Sequence, residues 1–373
     1  MAVATRVEAA VERLEISAFT VPTDFPESDG TAEWESTTLV LVEARAGDQV
    51  GLGYTYGDAA MAALIDATLS AVVEGGDALA VARAHDEMAR RSRNLGRPGI
   101  GSMAIAAVDM ALWDLKARLL ELPLATLLDS VRDEVAVYGS GGFTSYSLDQ
   151  LQEQLGRWAA EGIRRVKMKV GRDPDADLER VRAAREAIGD AVELFVDANG
   201  ALSRKQALWF ADAYTYFDVR WFEEPVSSDD LDGLRLLRDR APATIEIAAG
   251  EYGYTLSYFE RMLAAGAVDC LQADATRCEG YTGFLRVAAL CEARSLDLSA
   301  HTAPALHVHV CAAAPRLRHL EWFHDHVRLE RLLFDGVLDP VGGVLRPDLS
   351  RPGNGLELKC ADAERFRVYG GAE

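Results

Sequence analysis

The chain lacks any apolar run long enough to cross a bilayer as a helix. It is short of positive charge: 39 lysines and arginines against 59 aspartates and glutamates leave a formal net charge of −20. That balance argues against nucleic acid and against an anionic membrane as partners. Cysteine is scarce as well. Cys270, Cys278, Cys291, Cys311 and Cys360 are odd in number and show no paired spacing, so reduced core thiols are expected and neither a disulfide framework nor a zinc site. The opening "MAVATRVEAAVERLEIS" is too charged for a signal peptide, which implies a cytoplasmic protein. Internal repeats and low-complexity segments are absent. What remains is a 373-residue chain, 49% hydrophobic, enough for two domains or for one large barrel with a cap.

The stretch Val166-Lys167-Met168-Lys169-Val170 alternates like a strand, which places its two lysines on one face roughly 6.6 Å apart. Val166, Met168 and Val170 then point the other way, as a helix-covered sheet requires. A lone pair of lysines is more often a guard on an edge strand, so the neighbouring segments decide its meaning.

From residue 132 onward, short apolar runs alternate with amphipathic stretches at intervals of roughly 25 to 30 residues, the rhythm of β-α units. The expected strands are "VAVYGS", "RRVKMKV", "ELFVDAN", "VRWFEEP", "TIEIAAGE", "DCLQAD", "LDLSAH" and "RHLEWF". Between them, Asp173 is expected to cap a helix that Pro174 opens, and Ser203 to open another. Eight such units predict an α/β fold of (β/α)-barrel type, with an open doubly wound sheet as the alternative. The first 130 residues differ: "TTLVLVEARAGDQVGLGYTYG" reads as strands around a Gly-Asp turn, followed by helices ending in "MAIAAVDMALWDLKARLLEL". The expected division is an α+β cap over 1–130, joined by 346–373, around a barrel over 131–345.

Catalytic groups in such barrels sit at the C-terminal strand ends. There the sequence offers Lys167 and Lys169, Asp197 with Asn199 just beyond, Glu223 and Glu224, Glu251, Asp274, His301 and Glu321. Asp197, Glu223 and Glu251 fall on consecutive strands, and an all-carboxylate set suits Mg²⁺ rather than zinc. Strand alternation turns Glu224 away from Glu223 and gives it a structural role. A cation and a second lysine beside each lysine disfavour the ammonium form and are expected to lower its pKa. His301 faces them from strand seven, and Asp274 is placed to accept its N–H.

At these residues the sequence resembles the enolase superfamily, within it the mandelate racemase subgroup, over essentially the whole chain. The resemblance implies a modified (β/α)₇β barrel under an α+β cap. It implies Lys169 as a base with Lys167 near the substrate carboxylate, Asp197, Glu223 and Glu251 as Mg²⁺ ligands, a His301–Asp274 dyad, and Glu321 bonding the developing enolate. This chemistry, a Lys or His base with Mg²⁺ holding an enediolate, is the known pattern of such sites. The implied function is dehydration of an acid sugar to a 2-keto-3-deoxy acid, with racemisation or epimerisation of a 2-hydroxy acid as the alternative and a silent carboxylate-binding homologue as the third reading. The partner is a small carboxylate, and a homo-oligomer is expected. Substrate contacts are expected from Asn199, from Ser140 of "GSGGF", from Arg277, whose role stays open, and from Phe25 and Trp34 of the capping loop "TVPTDFPESDGTAEW". The histidines of "HVH" (His307, His309) and "HDH" (His324, His326) read as surface or packing residues, and "GIGSMA" as the start of a helix rather than a nucleotide loop.

Overall fold

The computed structural model describes residues 9–370. Three long antiparallel strands come first: β1 (Arg13–Ser28), β2 (Glu33–Ala46) and β3 (Gln49–Tyr56). A short strand, Arg367–Tyr369, pairs with β1 and completes a four-stranded sheet. The helix Ser102–Leu119 lies across this sheet, starting within the "GIGSMA" stretch. It approaches the backbone of β3 at two glycines: a Cβ on Gly53 would stand 2.4 Å from Ala107 O, and one on Gly51 2.2 Å from Ala111 O. Glycine is needed there because no larger residue leaves room for the helix.

The eight expected barrel strands all form: β4 (Val135–Gly141), β5 (Arg165–Lys169), β6 (Glu193–Asp197), β7 (Val219–Glu223), β8 (Glu246–Ala249), β9 (Cys270–Ala273), β10 (Asp297–Ala300) and β11 (Leu317–Phe323). Each is parallel to the next, and β11 pairs back onto β4, so the sheet is a closed barrel and not an open one. Each consecutive pair is joined through a helix, as a parallel crossover requires. The alternation in β5 works as its sequence suggests. Val166, Met168 and Val170 are buried in the core between strands and helices, while Lys167 and Lys169 point inside the barrel. Beneath them, Tyr138, Phe195, Trp221, Ala248 and Cys270 form a separate apolar layer that fills the interior.

Two local expectations are corrected. Asp173 makes no side-chain cap for the helix Pro174–Ile188; Asp177, inside the first turn, reaches back to accept the Gly171 N–H at 2.8 Å instead. The stretch "TVPTDFPESDGTAEW" is not a loop but the tip of the β1–β2 hairpin, paired as far as Ser28 and Glu33, with a register shift between Pro22 and Glu27. Pro22 stands at the edge of that irregularity and Pro26 within it, places where a strand tolerates proline. Ser203 does open the helix Arg204–Tyr214, with a reciprocal cap through Gln206. Among the described residues, no helix is long and apolar enough to cross a membrane.

Candidate active site

Asp197 ends β6, Glu223 ends β7, and Glu251 follows β8; all three are buried, with one carboxylate oxygen from each lying within 4.8 Å of the others. The strand register explains the gathering, because Lys169 stands beside Asp197 and Asp197 beside Glu223. Gly250 lets the chain turn so that Glu251 joins them: its φ is +138°, and a Cβ there would lie 2.0 Å from Gln272 O. Trp221 Nε1 donates to Glu223 Oε2 at 2.9 Å, and the Asn199 N–H to Asp197 Oδ1 at 2.9 Å. Glu251 Oε2 is buried without a hydrogen-bond partner, although His301 Nε2 lies 3.2 Å away. Burial, with Asp197 next in order, pushes Glu223 up to about 8. Like charges crowded out of water resist joint ionisation. A donor set made only of oxygen, with an acceptor atom left over, fits a hard divalent cation.

Lys167 is fully buried, in contact with Glu223, 2.8 Å from Glu321 Oε1 and 3.2 Å from Asp197 Oδ2. Lys169 donates to Asp197 Oδ2 at 2.6 Å. Burial by itself would depress both amines, but the facing carboxylates outweigh it and hold both above the usual lysine range. The lowering expected of them depends on a cation held by those carboxylates. Each lysine lies within 3.2 Å of a carboxylate oxygen, and that attraction outweighs burial and the other lysine. A cation on Asp197 and Glu223 would neutralise the groups responsible.

His301 Nδ1 donates to Asp274 Oδ2 at 2.9 Å, and Asp274 Oδ1 in turn accepts from the Thr276 backbone and hydroxyl at 2.7 Å each. The ring's orientation is thereby fixed and Nε2 is turned toward Glu251 and Glu321. Burial disfavours the imidazolium, yet Glu251, Glu321 and the Asp274 bond together raise the His301 pKa to about 9. Burial opposes ionisation of Glu321 too, but Lys167 and His301 hold it below the ordinary glutamate value.

Above these groups lies a cavity of about 340 Å³ under the β1–β2 hairpin. Lys169, Glu251, His301 and Glu321 line it, as do Asn199, Arg277 and Trp34. Lys167, Asp197, Glu223 and Asp274 lie buried around the cavity without lining it. Two expected contacts are corrected. Phe25 is 51% exposed and packs edge-on against Tyr146 outside the cavity, because the hairpin's irregular register turns it outward. Ser140, on β4, is fully buried beside Lys167 in register and does not reach the lining.

Other residues of the site escape sequence reasoning. Glu224 is buried, not turned away as alternation predicts: β7 ends at Glu223 and the next residue adopts φ +37°, which leaves its carboxyl in the field of Glu251, Asp197 and Glu223. Thr302 donates its N–H to Glu321 Oε2 at 3.2 Å from a left-handed backbone, φ +51°, that nothing in "SAHTAP" announces. His326, read as a surface or packing residue, lines the cavity, stacked 3.5 Å from the Tyr56 ring, and its Nδ1 accepts from Ala303 N. His307 is buried beneath the dyad, where its Nε2 accepts from Ala275 N at 2.7 Å. His309 is buried and bonded to Asn354 O, while His324 pairs with Asp24 at 3.0 Å. Asp24, Glu27 and His324 form a second group with the spacing of a metal site, part of it exposed.

Comparison with known proteins agrees with this architecture. Residues 15–129 match the mandelate racemase/muconate lactonizing enzyme N-terminal domain, and residues 150–363 the enolase C-terminal domain-like family. The 3,6-anhydro-alpha-L-galactonate cycloisomerase of Streptomyces coelicolor is 35% identical over 96% of this chain and 99% of its own. The crystal structure of a mandelate racemase/muconate lactonizing enzyme-like protein from Rubrobacter xylanophilus superposes with a TM-score of 0.95 at 60% identity, covering 96% of this chain and all of that one. A mutant L-talarate/galactarate dehydratase, an enzyme known from Salmonella typhimurium, was solved with Mg and L-glucarate and superposes at 0.89 with 29% identity, over all of this chain and 98% of that one. Closed barrel, antiparallel cap and matched domains together place the chain in the mandelate racemase/muconate lactonizing enzyme family of the enolase superfamily.

Proposed function

We propose that this protein, with Mg²⁺, removes the proton α to the carboxylate of a sugar acid and expels the oxygen substituent from the β-carbon, giving a 2-keto-3-deoxy acid. The observation that carries the reading is one cavity lined by both a lysine and a dyad-held histidine beside three buried carboxylates that can hold a metal. Bound at Asp197, Glu223 and Glu251, the ion supplies positive charge to the substrate carboxylate and so acidifies the α C–H.

Lys169, as the free amine, takes the α-proton. Lys167 brings a fixed positive charge near the oxygens on which the enediolate charge accumulates, and such prearranged charge is usually the largest catalytic contribution. Glu321, lying between Lys167 and His301, hydrogen-bonds the developing oxyanion when it carries a proton. His301, held by Asp274 at Nδ1 with Nε2 turned into the cavity, gives its Nε2 proton to the departing β-oxygen while the C–O bonding electrons leave with that oxygen. The resulting enol becomes the keto acid by protonation at C3. Asn199, Arg277 and Trp34 are the proposed substrate contacts, with residues 1–130 and 346–373 as the cap and 131–345 as the barrel.

If the leaving oxygen belongs to a ring, the same atoms give an isomer and no water, a variant favoured by the cycloisomerase relative. The test is incubation of the magnesium-loaded protein with a panel of sugar acids and their anhydro forms in D₂O. A 2-keto-3-deoxy product is the expected result. Exchange of the α-proton without keto acid would select racemisation, and neither across the panel would overturn catalysis.

A further inference from the structure

The cavity's charge is unevenly placed. Its positive groups, Lys169, Arg277 and His301, all come from barrel strand ends and the turns after them, around the three-carboxylate cluster. The wall built by the cap and by the segment after β11 instead offers the carboxylates of Asp29 and Asp325, with hydroxyls from Thr37 and its neighbours. Asp29 Oδ1 accepts from the backbone of Thr31 and Ala32, which fixes it in the hairpin turn. Asp325 accepts from the Thr37 hydroxyl and, on its other oxygen, from Arg328 at 2.8 Å.

The cations near this wall are already engaged outside the lining. Arg328, outside the lining, is paired with Asp325 and offsets part of its charge, and Arg172 is paired with Glu33 on the surface, so Asp29, held by backbone N–H groups, carries the larger share of the wall's negative charge. His326 also lines the cavity, but its Nδ1 acts as an acceptor and burial holds its pKa well below the usual value, so it adds no charge. Behind the wall, burial first and Asp325 second raise Glu27 to about 9.

On this geometry, and resting on the reading given above, we propose that the substrates are monocarboxylic sugar acids whose far end is hydroxylated and uncharged, and that the corresponding diacids are rejected. The substrate's single carboxylate meets the positive end of the cavity. Its terminal hydroxyls donate to Asp29 and Asp325, acceptors that would repel a second carboxylate placed against them. Selectivity thus comes from an unfavourable contact for the diacid as much as from a favourable one for the monoacid.

The experiment compares kcat/KM for matched pairs on one carbon skeleton, gluconate with glucarate and galactonate with galactarate, with magnesium present. The expected result is a preference of at least about tenfold for the monoacid of any pair that turns over. A diacid turned over as well as or better than its partner overturns the inference and leaves the elimination chemistry standing. Absence of both keto acid and α-proton exchange from all four, and from the wider panel, overturns the two together. In Asp325→Asn the monoacid-to-diacid ratio, read within the one variant so that a general loss of activity cancels, is expected to fall several-fold. An unchanged ratio overturns the electrostatic cause.

Discussion

Replacing Lys169 with alanine is expected to lower turnover by about 10²- to 10⁴-fold, the usual contribution of a positioned general base, and to abolish α-proton exchange with solvent in parallel. The fold should survive. Among the described residues, the only carboxylate within hydrogen-bond distance of Lys169 is Asp197, and Lys167 lies 3.2 Å from the same Oδ2, so the change does not strand a buried charge. Deuterium exchange and thermal unfolding of the variant check the two halves of the expectation. A protein that no longer folds would return the lysine pair to a structural role, and one that still exchanges the α-proton would put the base elsewhere.

His301→Asn separates the two sides of the cavity. Loss of the imidazole removes the proton donor for the leaving oxygen, and keto-acid formation should fall by about 10²- to 10⁴-fold. Lys169 is untouched, so exchange of the α-proton should continue where elimination has stopped. Asparagine keeps a donor near Asp274, whose other oxygen stays bonded to Thr276, and the backbone there should hold. Measuring exchange by NMR and product by keto-acid assay on the same sample tests it. If both signals vanish together, His301 is itself the base that starts the reaction, and the assignment of the two faces must be exchanged.

The barrel was readable from the sequence because its strands combine two simple periodicities, and the ends of those strands carry the ionisable groups directly. "VKMKV" shows this on a small scale: three apolar residues face the helices and two lysines face the interior, as alternation demands. The carboxylate cluster was legible for the same reason, since Asp197, Glu223 and Glu251 fall one β-α unit apart. What escaped sits where alternation stops. Glu224 and Thr302 follow strand ends in left-handed backbone, and no local residue pattern marks that conformation in a non-glycine residue. The capping segment reads as a loop in the sequence because its pairing partner, β2, lies beyond the stretch itself, and the pairing with β2 over many residues makes it a hairpin. The sign of the lysine pKa shifts depends on distances and on the net charge at the carboxylates, neither of which the sequence gives; at 2.6 Å the Asp197 carboxylate raises Lys169.

Carboxylates from three adjacent barrel strands are expected to hold one divalent ion. Crystals soaked in Mn²⁺ and measured at its absorption edge test it without any assay of activity. The prediction is a single strong anomalous peak about 2.1 Å from an oxygen of each of Asp197, Glu223 and Glu251. A peak at Asp24, Glu27 and His324 instead, with none among the barrel carboxylates, would contradict it.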